Sequence, residues 1–121
     1  MHAAISEAII GSAFEILNVL GAGFLEKVYE RAMRHELSIR GLSVHSQKSF
    51  SISYKGQCVG EYFADLIVAG KVVVELKCVD HLASEHVAQS LNYLKASGLE
   101  LALLINFQRP RLEWKRVVLE R

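Results

Sequence analysis

The chain has one proline, two cysteines and hardly any net charge, +1 in 121 residues, and each shortage removes a class of explanation. One proline among eight glycines leaves no collagen-like, proline-rich or linker-like tract, so no low-complexity segment has to be set aside. Cys58 and Cys78 lie in neither a CxxC motif nor a zinc-finger spacing. That excludes a structural zinc site and fits idle thiols in a reducing compartment rather than a disulfide framework. The near-zero charge excludes a chain that binds nucleic acid by bulk electrostatics, so any such role must come from local placement of charge. No run approaches the roughly 20 apolar residues of a membrane helix. The N-terminal stretch lacks an early positive cluster and carries Glu7 and Glu15, so it does not read as a signal peptide. A cytosolic chain without a membrane segment is the expectation.

What is present is an ordinary globular balance, 51% hydrophobic and 22% charged, long enough for one core and read as a single domain over 1–121. Ile5, Ile9, Ile10, Phe14, Leu17 and Leu20 recur at helical steps and predict a helix from about Ala3 to Leu20. Gly21-Ala22-Gly23 follows a helix rather than a strand and reads as a helix-helix corner, not a nucleotide-binding turn. A second helix is expected from near Phe24 to about Arg40, with Leu25, Val28, Tyr29, Ala32, Met33 and Leu37 as its buried stripe and Gly41 just past its end.

After Gly41 the pattern alternates, with Phe50, Ile52 and Tyr54 on one face of a strand and Ser49, Ser51 and Ser53 on the other. Lys55-Gly56 turns it into a strand from Cys58 to Val68, and Ala69-Gly70-Lys71 turns that into Val72–Cys78. Helical spacing returns from about Ala83 to Ala96 with Val87, Leu91 and Leu94, Ser84 being a suitable cap. The apolar run Leu99 to Phe107 predicts a strand covered on both faces, and Trp114 to Leu119 a last strand after Pro110. The fold class is α/β, a mixed sheet with an antiparallel meander flanked by helices, in the order ααβββαββ.

The chemistry concentrates in Glu75-Leu76-Lys77. Alternation places Glu75 and Lys77 on one face of an otherwise apolar strand, and burying such charges costs free energy unless something pairs them. Taken alone, this could be a surface ion pair of at most about 1 kcal/mol. Asp65 interrupts the apolar segment of the preceding strand, and the intervening turn brings it roughly opposite Glu75. Two carboxylates that close repel unless a proton or cation lies between them. Mg²⁺ is the natural cation, since it accepts one or two carboxylates and completes its shell with water and phosphate oxygens. Lys77 would then orient an attacking hydroxide or stabilise charge on phosphoryl oxygens.

The run Gly23-Phe24-Leu25-Glu26-Lys27-Val28-Tyr29 matches a GxxExxY signature. The chain resembles the GxxExxY proteins of the PD-(D/E)XK nuclease superfamily, and the match extends through Asp65-Leu66-Ile67-Val68, Val74-Glu75-Leu76-Lys77, Gln89 with Tyr93, and Leu103-Leu104-Ile105-Asn106-Phe107. The resemblance implies a PD-(D/E)XK nuclease-like core and a Mg²⁺-dependent nuclease, Mn²⁺ serving in its place. Asp65 and Glu75 would be the metal carboxylates, Lys77 the catalytic lysine and Glu26 an additional acidic ligand. Tyr29, three residues on, would pack beside the site. Gln89 and Tyr93 share a helix face, and the resemblance favours a supporting role for Gln89. It also favours DNA over RNA as the nucleic-acid partner.

A weaker patch, Arg109, Arg111, Lys115, Arg116 and Arg121 around Trp114, offers contacts to phosphate or merely a solvated strand face. His81 and His86 are five apart and do not make a metal pair on one helix face, though with Asp80 they could approach the site from a loop. The rival reading is a non-cleaving nucleic-acid-binding or protein-interaction module on the same fold. A free sheet edge also allows a homodimer.

Overall fold

A computed structural model describes residues 1–120. Two helices, α1 (Ala3–Leu20) and α2 (Glu26–Ile39), precede the meander β1 (Val44–Tyr54), β2 (Gln57–Val68) and β3 (Val72–Lys77). Helix α3 (Ser84–Ser97), β4 (Leu101–Asn106) and β5 (Glu113–Val118) follow. The sheet order is β1-β2-β3-β4-β5. Only β3 and β4 are parallel, because α3 carries the chain back to the start of the sheet between them. The expected α/β class and element order ααβββαββ are those observed.

Local sequence explains the joints. Lys55 and Gly56 both have positive φ, the backbone of a two-residue hairpin whose twist suits the flanking strands, and Ala69 and Gly70 also have positive φ in the three-residue turn that joins Val68 to Val72. At the Gly21–Gly23 corner the Tyr29 hydroxyl donates to Gly21 O at 2.6 Å and accepts the Phe24 amide at 3.2 Å. The same ring stacks on Phe107 at 4.4 Å, so the start of α2 is anchored to the sheet.

The core has two parts. One lies between the sheet and α1/α2, with Ile9, Ala13, Tyr29, Met33 and Leu37 against Leu66, Val74, Leu76, Leu103 and Ile105. The other lies under α3, with Leu94 against Ile67, Val73, Ala102 and Leu104. Strand β4 is buried throughout, which is why its sequence is an apolar run rather than an alternation.

Four expectations need correction. Helix α1 buries Ile9, Ser12, Ala13, Ile16 and Leu17, with Ile5 and Ile10 packed against the same core, while Phe14 and Leu20 are exposed; apolar residues occur on both sides of this helix, so the period places Ile5, Ile9, Ile10 and Leu17 correctly and misplaces Phe14 and Leu20. By length and composition α1 could cross a membrane, with mean hydropathy 1.5 over 18 residues, yet here its inner face is core. In α2, Leu25 is 81% exposed and Val28 is also outside, the helix starting after Leu25 rather than at Phe24. Ser84 does not cap α3: the cap residue is Ala83, whose amide donates to the His86 ring at Nδ1, 2.9 Å away. Finally, Ile52 and Tyr54 are exposed, because the β1–β2 hairpin projects past the helices that cover the rest of the sheet.

Candidate active site

The β1–β2 hairpin changes face where the site forms. Val44, Leu66 and Val68 pack under α1 and α2, whereas Phe50, Tyr62 and Ala64, at even steps along the same strands, pack under α3. A regular strand keeps evenly spaced residues on one side, so both strands turn over in between. The ladder pairs Ser46 with Leu66 and Lys48 with Ala64, passing over Gln47 and Asp65. Gln47 has φ 54°, a left-handed conformation uncommon outside glycine.

The break in the ladder at this step frees the Asp65 side chain. The β2–β3 ladder ends at Leu66 opposite Val74, and beyond it Asp65 Oδ2 accepts the Leu76 amide at 2.9 Å. A side chain thus takes up a strand amide that would otherwise lack a partner. In β3, Glu75 is 5% exposed and accepts a hydrogen bond from the Tyr62 hydroxyl. Burial, then the charge of Asp65, push the Glu75 carboxyl up to about 8; the Tyr62 bond and the Lys77 ammonium pull the other way. Protonated Glu75 is also close enough to share its hydrogen with Asp65. Mutual repulsion of two adjoining acids is what a cation between them would relieve.

Glu26 opens α2 at the rim of this pair. Its carboxyl is raised by burial and by Asp65 and lowered by Lys77, so Lys77 acts on Glu26 and Glu75 together. Glu26, Lys27, Glu30, Gln47, Asp65 and Leu76 line a cavity of about 240 Å³. Inside it Glu30 is buried, bound to Lys27 Nζ at 2.9 Å and to Gln47 Nε2 at 2.6 Å. On the opposite side Tyr93 stacks on Tyr62 with centroids 3.6 Å apart. Burial and then the charges of Glu75 and Asp65 raise its hydroxyl, and a hydrogen bond with Gln89 lowers it.

The structure therefore brings Asp65, Glu75, Lys77 and Glu26 into one electrostatic neighbourhood, with Tyr93 and Gln89 behind Tyr62. Tyr29 stays outside it, its hydroxyl committed to the helix-helix corner. Arg109 and Arg111 line a separate cavity with Asp80, His81 and Glu113. Lys115 and Arg116 lie on β5 opposite Leu104 and Leu103, and Arg121 is outside the described residues. His81 lies 3.9 Å from Glu113 and His86 caps α3, so neither histidine joins the acids. Cys58 and Cys78 are both free thiols.

Sequence reasoning passed over Tyr62, Gln47 and Glu30. Tyr62 is three residues before Asp65, an odd step that regular alternation assigns to opposite faces, and only the exchange of faces between Ala64 and Leu66 brings both groups to Glu75. Gln47 carries no signature that marks a left-handed residue. Asn106 was noted only within its motif: it accepts the Val79 amide at 3.1 Å, donates to Val79 O at 2.8 Å and donates to Glu113 at 3.0 Å. Those bonds pin the segment that leaves Lys77.

Among the described residues no three His, Cys, Asp or Glu side chains stand close enough to hold a metal alone. A hexacoordinate Mg²⁺ requires only one or two carboxylates, water and substrate oxygens supplying the rest. The Asp65–Glu75 pair, hard oxygen donors from adjoining strands, fits that requirement.

Comparison with known proteins agrees with the fold. A solved structure described as SSO0001 superposes with TM-score 0.62 over 94% of this chain at 17% identity, and the chain spans 60% of that protein's length. At that identity the likeness is one of fold. No curated protein matches the chain significantly. A family model described as the PD-(D/E)XK nuclease superfamily matches residues 3–117, and with a match across nearly its whole length the chain belongs to the PD-(D/E)XK nuclease superfamily.

Proposed function

We propose that this protein is a Mg²⁺- or Mn²⁺-dependent nuclease that hydrolyses phosphodiester bonds in nucleic acid, DNA in preference to RNA, in the cytosol. The observation that carries the reading is the Asp65–Glu75 pair: two acids from adjoining strands, one buried and kept protonated by burial and by its neighbour's charge, beside a lysine. Burying such a pair without a ligand costs stability, and a fold that retains it needs a use for it.

Asp65 and Glu75 would hold the divalent ion, with Glu26 contributing from the rim. When bound, the ion supplies Lewis-acid polarisation of the phosphate and lowers the pKa of water. Lys77, on the same strand face as Glu75, places an ammonium where negative charge develops on the phosphoryl oxygens. The Leu76 amide fixes the Asp65 carboxylate and the Tyr62 hydroxyl fixes that of Glu75, so neither acid has to reorganise. Gln89 orients Tyr93, which supports the Tyr62 ring from behind. Preference for DNA rests on resemblance, and a homodimer would form through the open edge of the sheet.

The test incubates linear, circular, single-stranded and branched DNA, and RNA, with the protein in EDTA, Mg²⁺ or Mn²⁺. Cleavage should require metal and fall at least a hundredfold in Glu75→Ala and Lys77→Ala, the scale of losing a charge-stabilising group. Metal-independent cutting, or full activity in either variant, would overturn the assignment.

A further inference from the structure

Outside the acid pair, a trough of about 650 Å³ lies between the projecting part of the β1–β2 hairpin and α3. It is lined by the 51–53 segment of β1, with Ile52 on the face towards α3, and by Gln89, Asn92, Tyr93, Lys95 and Ala96 of α3. Side-chain amides both donate and accept, one ammonium is available, and among the described residues no carboxylate lines the trough. Its inner end is Tyr93, whose ring stacks on Tyr62, the residue whose hydroxyl donates to Glu75. At its outer end the hairpin presents Ile52 and a 61% exposed Tyr54, with Lys55 lying 5.4 Å from the Tyr54 ring centre. Deeper along the same strand Lys48 lies 5.7 Å from that of Phe50.

We propose that this trough is the path of a single nucleic-acid strand leading to the acid pair. The inference rests on the nuclease reading and names its substrate class. The choice of occupant follows from the lining. A duplex presents a dense phosphate surface and is held by many cations, whereas this chain has a net charge of only +1 and one lysine in the trough walls. Amides that can read exposed base edges, with aromatic rings and a few lysines beside them, suit unpaired bases. The strand enters over the Tyr54–Lys55 tip, passes between the 51–53 segment and Asn92, and meets the acids past Tyr93. Polarity of charge agrees with this direction, lysines lying along the entry and carboxylates at the end.

Fluorescence anisotropy of the full chain in EDTA, where binding is measured without cutting, tests this with a labelled single-stranded oligonucleotide and the duplex of the same sequence. The single strand should bind more tightly than the duplex. Lys95→Glu should weaken single-strand binding about tenfold, and removing that phosphate contact should reduce the slope of log affinity against log salt by about 0.7. Tyr54→Ala should weaken it about five- to tenfold through lost stacking. Lys71→Glu makes the same charge change at the exposed β2–β3 turn and should leave binding unaltered. Far-UV circular dichroism confirms that each variant is folded. Equal effects of Lys95→Glu and Lys71→Glu, tighter binding of duplex, or binding of neither form would overturn the path. The two readings fail separately: strand binding that depends on Lys95 without metal-dependent cleavage removes the nuclease and keeps the trough. Cleavage indifferent to Lys95→Glu removes the trough and keeps the nuclease.

Discussion

A buried carboxyl group keeps its proton unless donors or cations stabilise its charge, and at Glu75 the hydroxyl of Tyr62 is such a donor. That bond lowers the Glu75 pKa against the larger effects of burial and Asp65. Tyr62→Phe keeps the ring stacked on Tyr93 and Phe50 but removes the donor, so the Glu75 carboxyl should rise further above about 8. Metal must displace that proton, and binding therefore becomes harder at neutral pH. The acid limb of the profile of cleavage rate against pH, taken at subsaturating Mg²⁺, should move to higher pH in Tyr62→Phe, with activity recovering as pH or Mg²⁺ is raised. A profile unchanged from the parent chain would show that the Tyr62 hydroxyl does not tune this acid.

Among the elements, the β1–β2 hairpin decides whether the acids meet. Its two strands exchange faces at Gln47 and Asp65, and Gln47 is held in its left-handed conformation while its amide binds buried Glu30. Gln47→Ala removes that bond and leaves a buried carboxylate with Lys27 alone, so it should destabilise the chain by about 1–3 kcal/mol. Gln47→Gly loses the same bond but adopts positive φ without steric cost, so it should be less destabilising than Gln47→Ala by about 1 kcal/mol. Urea unfolding of the two variants measures the difference; an alanine variant as stable as the glycine one would mean that the backbone at this position carries no strain.

The same hairpin shows why part of the site was legible in sequence and part was not. Glu75 and Lys77 share a face because β3 is a regular strand, and Asp65 could be set near Glu75 by counting back through the Ala69-Gly70 turn. Those inferences need only period and turn chemistry. Tyr62 and Gln47 depend on an irregularity that alternation presumes absent, and the Glu30–Gln47 bond spans elements whose packing no local pattern encodes. Likewise the order of elements followed from changes of period, while the inner face of α1 followed only in part, since Phe14 and Ile16 are equally apolar and only the sheet beneath chooses between them.

For the molecule as a whole, the acid pair ties stability to pH and to metal. The folded chain raises the Glu75 pKa from 4.5 to about 8, so between those values the native state retains a proton that the unfolded state has released. Stability rises with pH where the unfolded state binds more protons; here the native state binds more, and the sign is reversed. In EDTA the melting temperature should therefore receive from Glu75 a downward contribution as pH increases from 4.5 to 8. The comparison that isolates it is Glu75→Gln, which keeps the size and hydrogen-bonding capacity of the side chain but cannot ionise, and whose melting temperature should fall less over the same window. Mg²⁺ binds the native state in its charged form, so it should raise the melting temperature of the parent chain most at the alkaline end, in proportion to the logarithm of its concentration above Kd, and should do little for Glu75→Gln. Calorimetric scans at several pH values, with and without Mg²⁺, read both effects. Parallel pH curves for parent and variant would remove Glu75 as the group that couples folding to protons, and an equal Mg²⁺ shift in both would place the cation elsewhere than between Asp65 and Glu75.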